Sequence, residues 1–375
     1  MRILLITDVF LPRRGGTEII FYEIFKRLVS KGHKVTVITP LIKGTKKFEI
    51  MDGFKINRIP PTNRLIFMFK ALKKSLELAK NSDIIQTAVW FGGYLSAFVT
   101  MLSRKPCVLM VNAFFNYKWF NIRNPVLALL FASAEKLLFS IPFDKFICLS
   151  KSQEKLLISN SIDKDKIDVI YPGINFDLFK PKDSKKLKPK NKPFRYCFYG
   201  RYDPQKGIEI LLKSAKIFSK KYPESRLILI VSGRHNLGHL IDKLNLKDNV
   251  VLLEGRSQKE LVDIINDVDV VVVPSKVEPF GMVAAEASAL MKPVIASNVD
   301  GLKEIVVDGE TGFLVDTPKE MVEKLILLYQ NRELRNQMGT KGREYVKKFN
   351  WDNAAKKYEK TYKNVLRQSK CGRNI

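Results

Sequence analysis

Residues 270–286 read VVVVPSKVEPFGMVAAE. Four consecutive valines are strongly β-branched and too short a run for a helix, so they form a strand buried on both faces, as in the middle of a parallel sheet. Pro274 ends the strand, and Gly281 followed by Met282, Val283 and two alanines opens a helix. Two carboxylates flank that opening. Glu278 lies in the loop, where it can accept hydrogen bonds from hydroxyls. Glu286 lies about a turn and a half into the helix, within reach of a ribose or sugar hydroxyl. The first amides of the helix have no intrahelical acceptor and suit a diphosphate. Taken alone, the pair would equally suit a solvated surface.

Upstream, residues 199–207 read YGRYDPQKG and also join a strand to a helix. Arg201 offers a two-pronged donor, Lys206 a point charge, and Gly207 a close approach of backbone to phosphate. On spacing alone an ordinary turn with solvated charges fits as well. Short β-rich runs recur around both segments, at 3–6, 35–39, 84–86, 108–111 and 146–149, and again at 196–199, 227–231, 250–253 and 294–296. Helical periodicity fills the gaps, with Ile20, Ile24, Phe25 and Leu28 on one face and Gly32 as a stop. Repeated strand and helix alternation predicts parallel, doubly wound α/β domains.

A chain of 375 residues exceeds what one core ordinarily organises. The break is compositional: residues 180–193 read KPKDSKKLKPKNKP, a mixture of lysine and proline with nothing to bury. The sequence therefore predicts a first domain over 1–178, a linker over 179–193, a second domain over 194–349 and a terminal helix with tail over 350–375. Both main domains are expected to be Rossmann-like. The apolar stretch 126–143 carries Glu135 and Lys136 at its centre and Pro142 near its end, which predicts a buried helix rather than a membrane span. The four cysteines show no paired spacing, and the start runs into Pro12, Arg13 and Arg14 rather than a secretory cleavage site, so a reduced, cytoplasmic protein is expected.

The two segments together resemble the donor-binding half of glycosyltransferase family 4, a retaining family of the GT-B fold. That resemblance rests on Gly200-Arg201, Lys206-Gly207, the spacing from Glu278-Pro279-Phe280-Gly281 to Glu286, and Pro293-Val294. It extends to Gly15-Gly16-Thr17-Glu18, Ser150, 170–175 with Phe179 and Pro181, and Gly301, Glu304 and 309–315. What it implies is two Rossmann-like domains facing across a cleft, with the C-terminal helix packing back toward the N-terminal domain. It further implies a hexosyltransferase that takes a nucleotide diphosphate sugar to the hydroxyl of a glycan or lipid-linked acceptor, with no metal cofactor. By that resemblance Arg201, Lys206 and Gly16 meet the diphosphate, the amides of Gly281, Met282 and Val283 meet phosphate and sugar, Glu286 the ribose, and Glu278 the sugar hydroxyls. The base rests near Arg256 and Ser257. One departure concerns the reaction directly: where the family has a histidine, this chain has Asn112, which can hydrogen-bond a hydroxyl but cannot exchange a proton near neutral pH. Asn175 stands where aspartate is commoner in the family, and Leu290-Met291 replaces a usual glycine.

Three other signals carry less. Asp267-Val-Asp269 spells a metal-binding pattern but leads into the valine strand with its side chains on alternate faces, so a structural role is expected. His33, His235 and His239 have no ligand or base partner in the sequence. The net charge of +27 is concentrated early: residues 1–178 carry 27 Lys and Arg against 14 Asp and Glu. Arg64 to Lys80 reads as a basic amphipathic helix with apolar positions 65, 69, 72, 76 and 79, suited to covering the sheet or to contact with an anionic membrane. A nucleic-acid-binding protein would share the charge, yet no zinc, helix-turn-helix or RNA-recognition pattern is present and no specific nucleic acid is expected. A sugar-nucleotide epimerase of related fold is the enzymatic alternative.

Overall fold

The structure, a computed structural model, describes residues 1–375 except 14, 61–62, 113, 183–191, 234–235 and 372–375. Most of the Lys/Pro linker and His235 therefore lie outside the described residues. The chain forms two compact units, Met1–Gly173 with Trp351–Ile375, and Ile174–Asn350. Residues 174–178, which composition placed with the first domain, group with the second. The terminal helix groups with the first.

The first unit comprises β1 (Arg2–Ile6), α1 (Gly16–Ser30), β2 (Lys34–Pro40), β3 (Phe48–Met51), β4 (Phe54–Ile59), α2 (Arg64–Lys80) and β5 (Ile84–Ala88). It continues with α3 (Phe91–Ser103), β6 (Cys107–Val111), a 3-10 turn (Asn116–Asn121), α4 (Pro125–Phe139), β7 (Lys145–Cys148), α5 (Lys151–Ile158) and β8 (Ile167–Val169). Its sheet runs β3-β4-β2-β1-β5-β6-β7-β8. Every pairing is parallel except the β3–β4 hairpin at the edge, which the sequence reading missed because its outer strand, FEIM, lies largely exposed.

Alternate side chains of the strands, among them Leu4, Ile6, Ile85, Leu109 and Phe146, pack beneath α2, α3 and α4. The α2 expectation holds at Leu72, Leu76 and Ala79, which pack on the core, and needs correction at 65 and 69. Its buried stripe is Phe67, Ala71, Ser75 and Ala79, spaced at i, i+4, whereas Leu65 and Phe69 are exposed. The expectation for 126–143 is also only half right: Ala128, Glu135, Leu138 and Phe139 of α4 are buried, but Val126, Leu129, Leu130 and Leu137 face outward. No helix among the described residues is long and apolar enough to cross a membrane.

The second unit comprises β9 (Arg195–Arg201), α6 (Ile208–Lys221), β10 (Arg226–Ser232), α7 (Leu237–Lys243), β11 (Val250–Glu254), α8 (Gln258–Asp267) and β12 (Val270–Val273). After these come α9 (Met282–Ala289), β13 (Val294–Ser297), α10 (Leu302–Ile305), β14 (Gly312–Val315), α11 (Pro318–Gln330) and α12 (Arg332–Val346). Its six strands are all parallel in the order β11-β10-β9-β12-β13-β14. The order reverses between β9 and β12. At such a point the loops leaving the two strands diverge and open a crevice at their carboxyl ends, the usual place for a ligand on a doubly wound sheet.

The last helix, α13 (Trp351–Cys371), returns to the first unit. Trp351, Ala354, Ala355, Tyr358, Thr361, Tyr362 and Val365 form its buried stripe. The Tyr362 hydroxyl donates to Gln86 Oε1 of β5 at 2.7 Å, and Asp352 and Glu359 pair with Arg27 and Lys31 of α1. Gly173 packs so tightly on Trp351 that a Cβ there would lie 2.2 Å from its backbone nitrogen.

Candidate functional site

Both loops singled out by sequence leave the sheet at the β9/β12 reversal. After β9, Asp203 caps a 3-10 turn over Pro204–Lys206 by accepting from the Gln205 amide at 3.1 Å. Gly207 then starts α6 at φ +65°, and a Cβ on it would lie 1.9 Å from the Pro274 carbonyl oxygen. Only glycine allows that backbone approach. The Lys276 amide donates to the Gln205 carbonyl at 2.7 Å, so the two loops are joined through their main chains.

That junction puts Lys206 beside Glu278: Nζ donates to Oε2 at 2.7 Å, and the Ser275 hydroxyl donates to the same oxygen at 3.1 Å. The Glu278 main chain is clamped from the loop after β13. Its amide donates to Asp300 Oδ2 at 3.2 Å, and its carbonyl accepts from Gly301 at 3.0 Å. Gly281, at φ +105°, begins α9 with no side-chain cap and no acidic residue in the first turn. The amides of Met282 and Val283 are therefore directed out of the helix start, where the helix dipole favours an anion.

Glu286 is buried deeper in α9. The Tyr199 hydroxyl, at the end of β9, faces both its Oε2 at 3.1 Å and the Val283 carbonyl at 2.9 Å. Burial pushes the Glu286 carboxyl up to about 7, and the Tyr199 hydrogen bond offsets part of that rise. Burial, then the neighbouring Glu286, holds the Tyr199 hydroxyl well above its ordinary range.

Arg201 is exposed at the end of β9, on the same loop as Lys206. Arg256 and Ser257 are exposed after β11, two strands from β9 and so roughly 10 Å along the sheet. The Ser257 side chain is already engaged: it and Glu260 form a reciprocal capping box at the start of α8.

In the first unit, Gly16 and Asn112 come together although 95 positions separate Asn112 from the neighbour of Gly16, Thr17. Asn112 Nδ2 donates to Thr17 Oγ1 at 2.7 Å, and Asn112 Oδ1 is buried with no hydrogen-bond partner among the described residues. A Cβ at Gly16 would meet no atom within 4 Å, so the protein's own packing does not require glycine there.

Tyr199, Ser275 and Asp300 were given no role by sequence, and Thr17 entered only as part of the first glycine loop. A tyrosine in a buried strand needs a hydroxyl partner, which was the available signal for Tyr199. Asp267 and Asp269 are spent structurally, the first on Lys192 and Arg195 and the second on the Arg195 amide. His33 is bonded to the N-terminal amine at 3.0 Å and lies 3.4 Å from Glu359.

Two doubly wound α/β units, with both glycine loops of the second leaving its sheet at the strand-order reversal, have the architecture of the GT-B glycosyltransferases. Solved structures agree in fold: sucrose-phosphate synthase from Thermosynechococcus elongatus superposes with a TM-score of 0.83 at 23% identity, covering 98% of this chain and 99% of that one. HepE of Anabaena, solved with UDP-glucose, superposes at 0.80 with 20% identity, covering 97% and 100%. The family profile described as Glycosyltransferase Family 4 matches residues 14–178, and that described as Glycosyl transferases group 1 matches 179–345. The chain belongs to glycosyltransferase family 4. Among curated relatives, an uncharacterized glycosyltransferase of Methanocaldococcus jannaschii is 34% identical over 226 residues, 59% of this chain and 60% of that protein. The matches to this and to three D-inositol 3-phosphate glycosyltransferases span between 50% and 60% of those relatives' own lengths.

Proposed function

We propose that the protein is a retaining hexosyltransferase that uses a nucleoside diphosphate sugar. The observation that carries this reading is the gathering, at the β9/β12 reversal, of Lys206, Glu278, the open amides of α9 and the buried Glu286. Lys206 and Arg201, with the amides of Met282 and Val283, neutralise the diphosphate. The ribose hydroxyls donate to Glu286, whose geometry Tyr199 fixes. Glu278, clamped through its main chain, accepts from the sugar hydroxyls. HepE with UDP-glucose supports a UDP-hexose as the first donor to try.

The bond from the anomeric carbon to the β-phosphate oxygen breaks as the acceptor oxygen attacks on the same face, and the acceptor's proton passes to the leaving phosphate. Asn112 then serves by hydrogen bonding and not as an acid or base. This chemistry requires no metal. The acceptor is a lipid-linked sugar or a cell-surface glycan precursor, met at an anionic membrane surface by the basic first unit.

Thermal stabilisation by a panel of UDP, GDP and ADP sugars tests the donor assignment, since a ligand bound only to the native state raises its melting temperature. One class should stabilise, and Glu286→Ala should abolish the shift. Undiminished stabilisation of that variant would overturn the site assignment.

A further inference from the structure

The outer side of the helical layer over the first sheet is apolar where water should meet polar side chains. On α4, Val126 is 71% exposed and Leu130 and Leu137 each 61%, so this helix is hydrophobic all round yet buried on only one side. Tyr117 and Phe120 of the preceding 3-10 turn, and Met101 and Leu102 of α3, are exposed likewise. The Tyr94 hydroxyl of α3 donates to the Ala134 carbonyl of α4, which places the two helices side by side.

The segment is firmly seated. Glu135, buried in α4, accepts from the Phe115 and Asn116 amides at 3.0 and 2.7 Å and from the Trp119 indole at 3.2 Å. Trp119 in turn stacks on Phe131. The 3-10 turn is thereby fixed to α4, and their apolar outer faces are presented together. A cavity of about 570 Å³ lined by Phe139, Phe143 and Phe146 opens along the flank of α4, with Lys136, Lys166 and Asp163 as its charged side chains.

The exposed charge on α3, the 3-10 turn and α4 is positive. Arg104, Arg123 and Lys136 are exposed around the apolar side chains, and Lys70 and Lys73 continue the set on α2. The only acidic residues of α2, α3, the 3-10 turn and α4 are Glu77, paired with Lys74 at 2.7 Å, and the buried Glu135. A second copy of this chain is a poor occupant, because a twofold interface would set the same cations against each other in a protein of net charge +27. An anionic bilayer meets both demands: headgroups for the cations and the acyl boundary for the leucines.

We infer that α4, with the 3-10 turn before it and the exposed end of α3, is the surface by which the protein docks on anionic lipid, α4 lying in the plane of the interface. This rests on the membrane contact proposed above and not on the sugar chemistry. It places the contact on the apolar face of α4 and not on the basic helix α2, for which the sequence offered membrane contact as the alternative to covering the sheet.

Co-sedimentation of the full chain with phosphatidylcholine vesicles, with and without phosphatidylglycerol, tests it. Binding should require phosphatidylglycerol and weaken with salt. Leu129→Ser with Leu130→Ser should abolish it, and Arg123→Gln with Lys136→Gln should lower it about fivefold per cation removed. Donor-induced thermal stabilisation, unchanged in both variants, shows that they remain folded. If the wild type ignores both vesicle types, the membrane contact and the face fail together. If it binds and the leucine variant binds equally while Lys70→Gln with Lys73→Gln does not, the face is wrong and membrane contact stands. Concentration-dependent dimerisation that the leucine variant abolishes, without vesicle binding, would assign the face to a second copy.

Discussion

If Glu286 holds the ribose as proposed, burial and ligand chemistry oppose each other there. Hydroxyls donate best to an ionised carboxylate, yet burial raises the carboxyl from its ordinary 4.5 to about 7. Donor affinity should therefore fall by up to about tenfold for each pH unit below 7, read as the donor KM or as loss of thermal stabilisation. Tyr199→Phe removes the hydrogen bond that holds the carboxyl down, so the midpoint of that profile should move upward. An unmoved midpoint would show that Tyr199 merely packs. Stability of the ligand-free protein runs the other way. A folded-state value above the unfolded one favours the protonated acid, so Glu286 lowers stability as pH rises from about 4.5 to about 7. Glu135, raised to about 7 chiefly by burial, adds to the same trend. Melting temperatures across this range, in wild type and in Glu286→Gln, separate the two contributions.

Among the elements, the glycines at the starts of α1 and α6 have opposite physical grounds. Gly207 is required by the fold itself, since its φ is +65° and a Cβ would enter the Pro274 carbonyl. Gly207→Ala should cost about 3 kcal/mol or more and disturb the Lys206–Glu278 pair as the loops separate. Gly16 has open space around it and sits in the first turn of a helix. Gly16→Ala should leave urea stability unchanged or raise it by up to about 1 kcal/mol. Its effect should appear in donor binding instead. Equal loss of stability in both variants would remove the distinction. The start of α6 was readable from sequence, because glycine between a strand run and an apolar periodic run is a local signal, whereas Gly16 was read only as part of a glycine loop. The inward face of α2 was read only in part: Leu72, Leu76 and Ala79 do pack on the core, but Phe67, Ala71 and Ser75 are buried where Leu65 and Phe69 were expected.

Taken whole, the chain completes its first unit only with its last helix. Ending the chain at Asn350 removes the stripe from Trp351 to Val365 that covers this unit beside α1. Calorimetry of that truncation should show the first unit melting early or without cooperativity while the second keeps its own transition, and added peptide 351–371 should restore the first. Two undisturbed transitions would show α13 to be an accessory. Much of this protein was determined by the sequence alone: the strand runs, the glycine turns, the positions of Glu278 and Glu286, and the motif spacing that marks the family. Each is a pattern within a few dozen residues, carried by backbone preference and side-chain period. The tertiary structure alone decided that Lys206 pairs with Glu278 across 72 positions and that Tyr199 reaches Glu286 across 87. It also left the outer face of α4 uncovered. These outcomes depend on which strands become neighbours and on what the remaining surface can cover, and neither is encoded at any one place along the chain.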